Sequence, residues 1–125
     1  MDAGDTFRPA DPKVDIRLGV VIPEPATDPD RVLIVSLTTN KPYKDQACIL
    51  KIGDHPFIRH DTCVAYDLAK VVSLSQLEAL SDSGMLIPDE PVSPQVLQRV
   101  RAAIWDSKQI AQEHVDLMNG QGLLP

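Results

Sequence analysis

Between residues 18 and 72 the apolar residues come in short runs, each closed by proline, glycine or an Asn-Lys-Pro turn: Leu18–Ile22 before Pro23, Val32–Leu37 before Thr38-Thr39-Asn40, and Ala47–Ile52 before Gly53. Runs of four to eight β-branched residues bounded by turn residues are strands, because a helix needs ten or more residues to bury a face and tolerates no proline inside it. This spacing points the first half of the chain to a small antiparallel barrel, since the connections are too short for helical crossovers. Arg31–Thr39 is the strongest of these segments, with Val32-Leu33-Ile34-Val35 continuous and a threonine-rich end. A short strand is predicted at residues 4–8, ending before Pro9 and a loop rich in proline and charge through Asp11 and Pro12. In residues 47–52, Cys48, Leu50 and Ile52 share one face. Thr62–Tyr66 and Ala69–Val72 give one strand or two short ones.

The pattern changes at Ser73. Ser73 and Gln76 have capping-box spacing, and Leu74, Leu77 and Leu80 supply an apolar stripe, so a short helix is predicted near 73–82 with Gly84 as its stop. Met85-Leu86-Ile87 either adds a strand or packs as a loop before Pro88 and Pro91. Ser93-Pro94 occupy the N-cap and first helical positions of a second helix. Its stripe of Leu97, Val100, Ile104, Ala111, Val115 and Met118 predicts a continuous helix near 94–118, stopped at Asn119-Gly120. Such a helix is roughly 38 Å long at 1.5 Å per residue, so its second half is expected to overhang the β-structure, either solvated or against a partner. The predicted organisation is one domain over 1–125: a barrel at 1–72, short helix and linker at 73–92, and a C-terminal helix at 93–119.

With 43% hydrophobic residues and 125 residues in all, the chain can bury a core without disulfides or a structural metal. No run approaches the roughly 20 apolar residues that span a bilayer, and no apolar segment follows Met1, so a cytoplasmic location without membrane association is expected. Cys48 and Cys63 are expected to be free thiols serving as small hydrophobes; they lack zinc-ligand spacing, and neither a metal nor a cofactor is expected. The net charge is −6, unevenly spread: residues 1–60 carry eight basic and nine acidic side chains, residues 61–125 four and nine. That balance opposes coating of a nucleic-acid duplex. It leaves room for a local basic groove from Arg8, Lys13, Arg17, Lys41, Lys44 and Arg59.

Chemistry is densest in residues 53–67, which hold two of the three histidines, His55 and His60, with Phe57, Arg59, Asp54, Asp61 and Asp67. A loop of this composition between apolar segments is where a small scaffold carries its site. Arg59 can clamp a phosphate, and either imidazole can move a proton near neutral pH. Each of these residues also has a structural role open to it. His55-Pro56 can form a rigid turn with the ring capping backbone, Thr38 and Thr39 can satisfy the following turn, and Arg17 can pair with Asp11 or Asp15. Asp67, set between apolar neighbours in a strand, is expected to need a partner.

The order of these elements resembles the PemK/MazF family of toxin–antitoxin ribonucleases. Gly4-Asp5 stand where that family begins its first strand, Arg17 precedes the apolar run Leu18–Ile22 as a family arginine does, and Val35-Ser36-Leu37-Thr38-Thr39 match a third strand ending in a Thr/Ser pair. The family run Ser-Val-Val-x-x-Asp-Gln-Ile-Arg-Thr-Val falls on Thr62–Val72, with Leu77 at a later family leucine. The likeness covers about residues 4–104; Leu18, Leu68, Lys70 and Gln76 depart from the family's Pro, Gln, Arg and Arg. The resemblance implies a small SH3-like barrel of five to seven strands closed by helices, and a homodimer. It also implies metal-independent, sequence-dependent cleavage of single-stranded RNA, under the control of an antitoxin protein or peptide. On it, Arg17, Thr38, Thr39 and Asp67 are the catalytic candidates, and Lys13, Lys41, Lys44, His55, Arg59 and His60 the RNA- or partner-binding ones. The alternatives are the same barrel as a protein-binding module without catalysis and, last, a small-molecule hydrolase, for which no nucleophile with a matched base is present.

Overall fold

The computed structural model describes residues 1–11, 13 and 17–125, so the predicted loop residue Pro12 and the predicted Arg17 partner Asp15 lie outside the described residues. Six strands form one antiparallel sheet: β1 (Thr6–Pro9), β2 (Gly19–Val21), β3 (Val32–Thr39), β4 (Ile49–Leu50), β5 (Thr62–Val72) and β6 (Leu86–Asp89), in the order β4-β5-β3-β2-β1-β6. The helices are α1 (Leu74–Asp82), α2 (Pro94–Ala102) and α3 (Gln112–Gly120). The domain is therefore mainly β, as its short apolar runs require, with β4 and β6 at the two edges and no pairing between them among the described residues. No helix of the described chain is long and apolar enough to cross a membrane.

The period-2 alternation of β3 divides the sheet into two faces. Leu33, Val35 and Leu37 enter the main core with Leu18, Val20, Ile22, Val64 and Tyr66, while Val32 and Ile34 face a second cluster with Phe7, Val21 and Leu77. β5 is a single strand, but it is bent. Ser36 opposes Ala65 and Ile34 opposes Lys70, so the four residues Tyr66–Ala69 stand against Val35 alone. The Tyr66 hydroxyl, 1% exposed as a residue, donates to the Val100 carbonyl at 2.6 Å and ties the bent strand to α2. Arg101 holds the Ile22 carbonyl from Nε and Nη2 at 3.1 and 2.7 Å, and Arg99 reaches Ile49 O at 2.8 Å, so α2 is fastened to both β2 and β4.

α1 begins as predicted, with Ser73 and Gln76 completing both halves of a capping box. It ends in a Schellman motif on Gly84 (φ +80°): Gly84 N–H donates to Ser81 O and Met85 N–H to Leu80 O. Of its three leucines only Leu77 is fully buried. Leu74 is half-buried and Leu80 is exposed, because the helix lies along the sheet's outer face and not inside a core. Of Met85-Leu86-Ile87, Leu86 and Ile87 take the strand alternative within β6, which pairs with β1 through Pro9, one residue beyond its predicted end.

Two expectations are corrected. The strand predicted over 47–52 is reduced to Ile49–Leu50. Asp54 accepts from Lys51 N at 2.8 Å, Asp54 N–H returns to Lys51 O, and Gly53 takes φ +104°, so turn chemistry wins and Ile52 is left 72% exposed. The single helix predicted over 94–118 is two helices. α2 tightens into a 3₁₀ turn at Ala103–Trp105, and Ser107 Oγ then accepts from the N–H groups of Gln109 and Ile110 and donates to Asp45 Oδ2 at 2.6 Å. The chain turns back, so Val115 and Met118 join Val96, Val100 and Ile104 in the main core and do not overhang. Seven residues separate Ile104 from Ala111, a whole number of helical repeats, which is why the stripe reads through the break. α3 ends at Gly120, within the predicted Asn119-Gly120 stop, and Gly122 (φ +73°) closes it by a second Schellman motif, with Gly122 N–H on Asn119 O and Leu123 N–H on Met118 O.

Candidate functional site

The outer face of the sheet carries small side chains where α1 does not cover it. One cross-strand row runs Phe7, Gly19, Ser36, Ala65, from the pairs Phe7↔Gly19, Gly19↔Ser36 and Ser36↔Ala65. A β-carbon on Gly19 would lie 2.6 Å from the Phe7 ring, so the aromatic closes over a position only glycine fits. The Leu37 N–H to Leu18 O bond carries the β2–β3 register outward, setting Arg17 opposite Thr38, and Thr38 opposes Cys63. Gly19, Ser36, Ala65 and Cys63 make a low floor, and the longer Arg17 and Thr38 rise from it.

Beside this floor, at the end of β3, lies a cleft of about 590 Å³. Arg17, Thr38 and Thr39 form one side, Pro56, Phe57, Arg59 and His60 of the 53–61 loop another, and Asp89 of β6 contributes a carboxylate. A second cavity of about 280 Å³ shares Arg17 and Thr38 and adds Lys44, Cys63, Asp67 and Leu68. A more apolar hollow of about 620 Å³ continues from Arg17 across Gly19 and Ser36 to Leu68 and Leu86. Seven of the ten predicted site residues, Arg17, Thr38, Thr39, Lys44, Arg59, His60 and Asp67, thus line two cavities joined at Arg17 and Thr38.

The hydrogen bonds assign different work to them. Lys44 Nζ donates to Thr38 Oγ1 at 3.0 Å and to Thr39 O at 2.9 Å, fixing the strand end, and so the Thr38 hydroxyl does satisfy the turn that follows it. Thr39 Oγ1 lies 2.9 Å from His60 Nε2, joining β3 to the 53–61 loop. The 40–47 turn is rigid. The Gln46 side-chain amide donates to Asn40 Oδ1, Lys41 O and Lys44 O at 2.8–2.9 Å, and Asp45 accepts from Ala47 N and from Ser107. Arg59 is exposed at the cleft and makes no side-chain hydrogen bond or ion pair among the described residues.

His55 and His60, five residues apart, diverge. His55 is 3% exposed; its Nε2–H donates to the Glu90 carbonyl at 2.5 Å and its Nδ1 accepts from Phe57 N–H at 3.0 Å. Thr6 Oγ1 donates to the same carbonyl at 2.6 Å. With both ring nitrogens on backbone, His55 takes the turn-capping role and has no nitrogen left for proton transfer. His60 is exposed at the cleft, bonded through one nitrogen. Asp67 is exposed, because the β5 bulge turns it out of the ladder; the strand burial expected for it does not occur. Lys13 and Lys41 are exposed and line neither cavity.

Burial raises the Cys63 thiol above its ordinary value, with Lys44 pulling the other way. The register Ile49↔Cys63 puts Cys48 and Cys63 on opposite faces, so the two free cysteines cannot form a cross-strand disulfide. Asp89 and the anchoring residues Gln46, Asp45 and Ser107 were outside the sequence-based site. Asp89 reaches the cleft only through the β1–β6 pairing, which no local signal encodes. Gln46 and Asp45 had one available cue, their place in a turn dense in side-chain acceptors. Among the described residues, no three His, Cys, Asp or Glu side chains are grouped to hold a metal ion. No protein-family model matches the chain, and no curated protein matches it.

Proposed function

We propose that the paired cavities bind single-stranded RNA and cleave it, in the manner of a PemK/MazF-like endoribonuclease. The observation that carries this reading is the convergence of Arg17, Thr38, Thr39, Arg59 and His60 on one open cleft from three separate segments of the chain. Cleavage that uses the RNA's own 2′-hydroxyl needs a proton acceptor, donors for the charge that builds on phosphorus, and a proton for the departing oxygen. His60, steadied by Thr39, takes the 2′-hydroxyl proton. The 2′-oxygen bonds to the adjacent phosphorus, the P–O5′ bond breaks, and the imidazolium returns the proton to the 5′-oxygen, giving a 2′,3′-cyclic phosphate and a 5′-hydroxyl. Arg17 and Arg59 hold the non-bridging oxygens, where planar guanidinium matches phosphate geometry. Asp67 adds a carboxylate to the second cavity, which Arg17 also lines. On this reading the open sheet closes as an SH3-like barrel, the chain pairs with a second copy, and an antitoxin segment competes with RNA for the cleft.

A second reading, a binding module without catalysis, is favoured by two observations: Lys44 already occupies the Thr38 hydroxyl, and Leu68, 42% exposed, lines the second cavity and the apolar hollow. The two readings separate in one experiment. Purified protein is incubated with long RNA without added metal, new 5′ ends are mapped, and Arg17→Ala runs alongside. Cuts at a short recurring sequence, reduced at least about 100-fold in the variant, are expected, since loss of one transition-state donor costs 10²–10³ in rate. Intact RNA with a folded sample would leave the module reading in place.

A further inference from the structure

The same cleft presents one aromatic ring and one carboxylate that the cleavage chemistry does not use. Phe57 is half-buried, packed on one side against the main core and lining the cleft on the other. Asp89 lines the cleft from β6. A continuous chain of hydrogen bonds fixes the two relative to each other: Phe57 N–H to His55 Nδ1 (3.0 Å), His55 Nε2–H to Glu90 O (2.5 Å), and Glu90 N–H to Asp89 Oδ1 (2.7 Å). Its middle member is His55, 3% exposed and anchored further by Thr6 on the same carbonyl. The buried histidine therefore holds an aromatic surface and an acceptor at a set spacing beside the arginines. The Asp89 Oδ2 atom stands 3.9 Å from Arg8 Nε, beyond hydrogen-bonding distance, and retains acceptor capacity.

We infer that this part of the cleft is a nucleobase subsite selective for guanine, with the base stacked on Phe57 and its Watson–Crick edge donating to Asp89. The inference rests on the reading of the cleft as an RNA site. Single-stranded RNA is read by stacking an unpaired base on an aromatic ring and bonding its edge. A carboxylate only accepts, and guanine alone offers two adjacent donors, N1–H and N2–H, to its two oxygens. Adenine and cytosine place an acceptor next to a single amine, and uracil flanks its one N–H with two carbonyls. A cavity of about 590 Å³ has room for one nucleotide, with its phosphate toward Arg17 or Arg59.

The test uses the whole chain and the four nucleoside 5′-monophosphates, which have no 3′-phosphodiester for the 2′-hydroxyl to attack. Titrations followed by amide chemical shifts are expected to give GMP a dissociation constant about tenfold below those of AMP, CMP and UMP, the scale of one bidentate base contact. The shifts are expected to centre on residues 57–60 and 89–90. Asp89→Asn, which keeps an acceptor for Glu90 N–H, brings GMP to the level of the others. Phe57→Leu, which keeps an apolar side chain against the core, weakens all four by about tenfold through lost stacking. Equal affinities in the unmodified protein, a GMP preference that survives Asp89→Asn, or binding unaffected by Phe57→Leu would each overturn the subsite. A GMP preference in a protein that cuts no RNA keeps the subsite and removes the nuclease. RNA cleavage with no nucleotide preference does the reverse.

Discussion

The two halves of the sheet's outer face are built by the same strands with the same alternation, and one is sealed while the other is open. Under α1, the outward residues Val21, Val32 and Ile34 are large and apolar, and Leu77 closes over them. Further along β2 and β3, and on β5 beside them, the outward positions are Gly19, Ser36, Thr38, Ala65 and Cys63, small residues that border two open hollows. The difference lies in side-chain size at outward positions, not in backbone. Large outward residues bring a helix down onto the sheet, and small ones leave a low floor beside which Arg17 and the 53–61 loop form a cleft.

Removing the lid from the sealed half should have the largest effect. Leu77 is the only fully buried residue of α1, so Leu77→Ala is expected to cost about 2–5 kcal/mol of stability, measured by urea unfolding, through lost burial plus the cavity left behind. A loss under about 1 kcal/mol would show that α1 contributes little to holding that half closed.

The two cysteines, one on each face, offer a second contrast. Burial pushes the Cys48 thiol from 9.0 up to about 11, with the Arg99 charge opposing, and Cys48 packs into the main core. Tyr66 beside it is raised as well, mainly by burial. The sign follows from linkage. Above pH 9 the unfolded chain releases the thiol proton while the folded protein keeps it, so stability is complete below pH 9 and is lost as pH rises through 11. For Cys48 alone that loss amounts to about 2–3 kcal/mol. Unfolding at pH 8, 9.5 and 11 should show it, and Cys48→Ala should flatten the slope. An unchanged slope in the variant would assign the alkaline loss to Tyr66 and Cys63.

The sheet was largely legible in the sequence because β3 and the Ser73 cap are specified locally, by β-branched runs and by a four-residue hydrogen-bonding pattern. Arg17, Thr38 and Thr39 were legible as site candidates from the resemblance, and the β2–β3 register is what makes them neighbours. Asp67 was misread because the bulge at Tyr66–Ala69 depends on how β3 pairs with both halves of β5, a non-local property. His55 and His60 look alike in sequence. The approach of Glu90, 35 residues on, is what leaves one ring pinned through both nitrogens and the other bonded through a single one. The break after Ala102 was hidden for the opposite reason: its stripe has helical spacing on both sides, and the Ser107–Asp45 bond that stabilises the turn spans 62 residues.

The smallest expected effect sharpens the comparison from the open side. Leu68 stands where the resembling family has glutamine, is 42% exposed, and borders both the second cavity and the apolar hollow. If the open half is a ligand surface and not a piece of core, Leu68→Gln should change stability by no more than about 0.5 kcal/mol, as exposed substitutions do. The same replacement at Leu77 should unfold the sealed half. RNA cleavage by Leu68→Gln should be no lower than that of the unmodified protein, because the added amide donates and accepts at a polar cavity. A stability loss above 1 kcal/mol that grows with protein concentration would show instead that a second copy covers Leu68. The open half would then be an interface that resembles the sealed half in chemistry and differs only in what closes it.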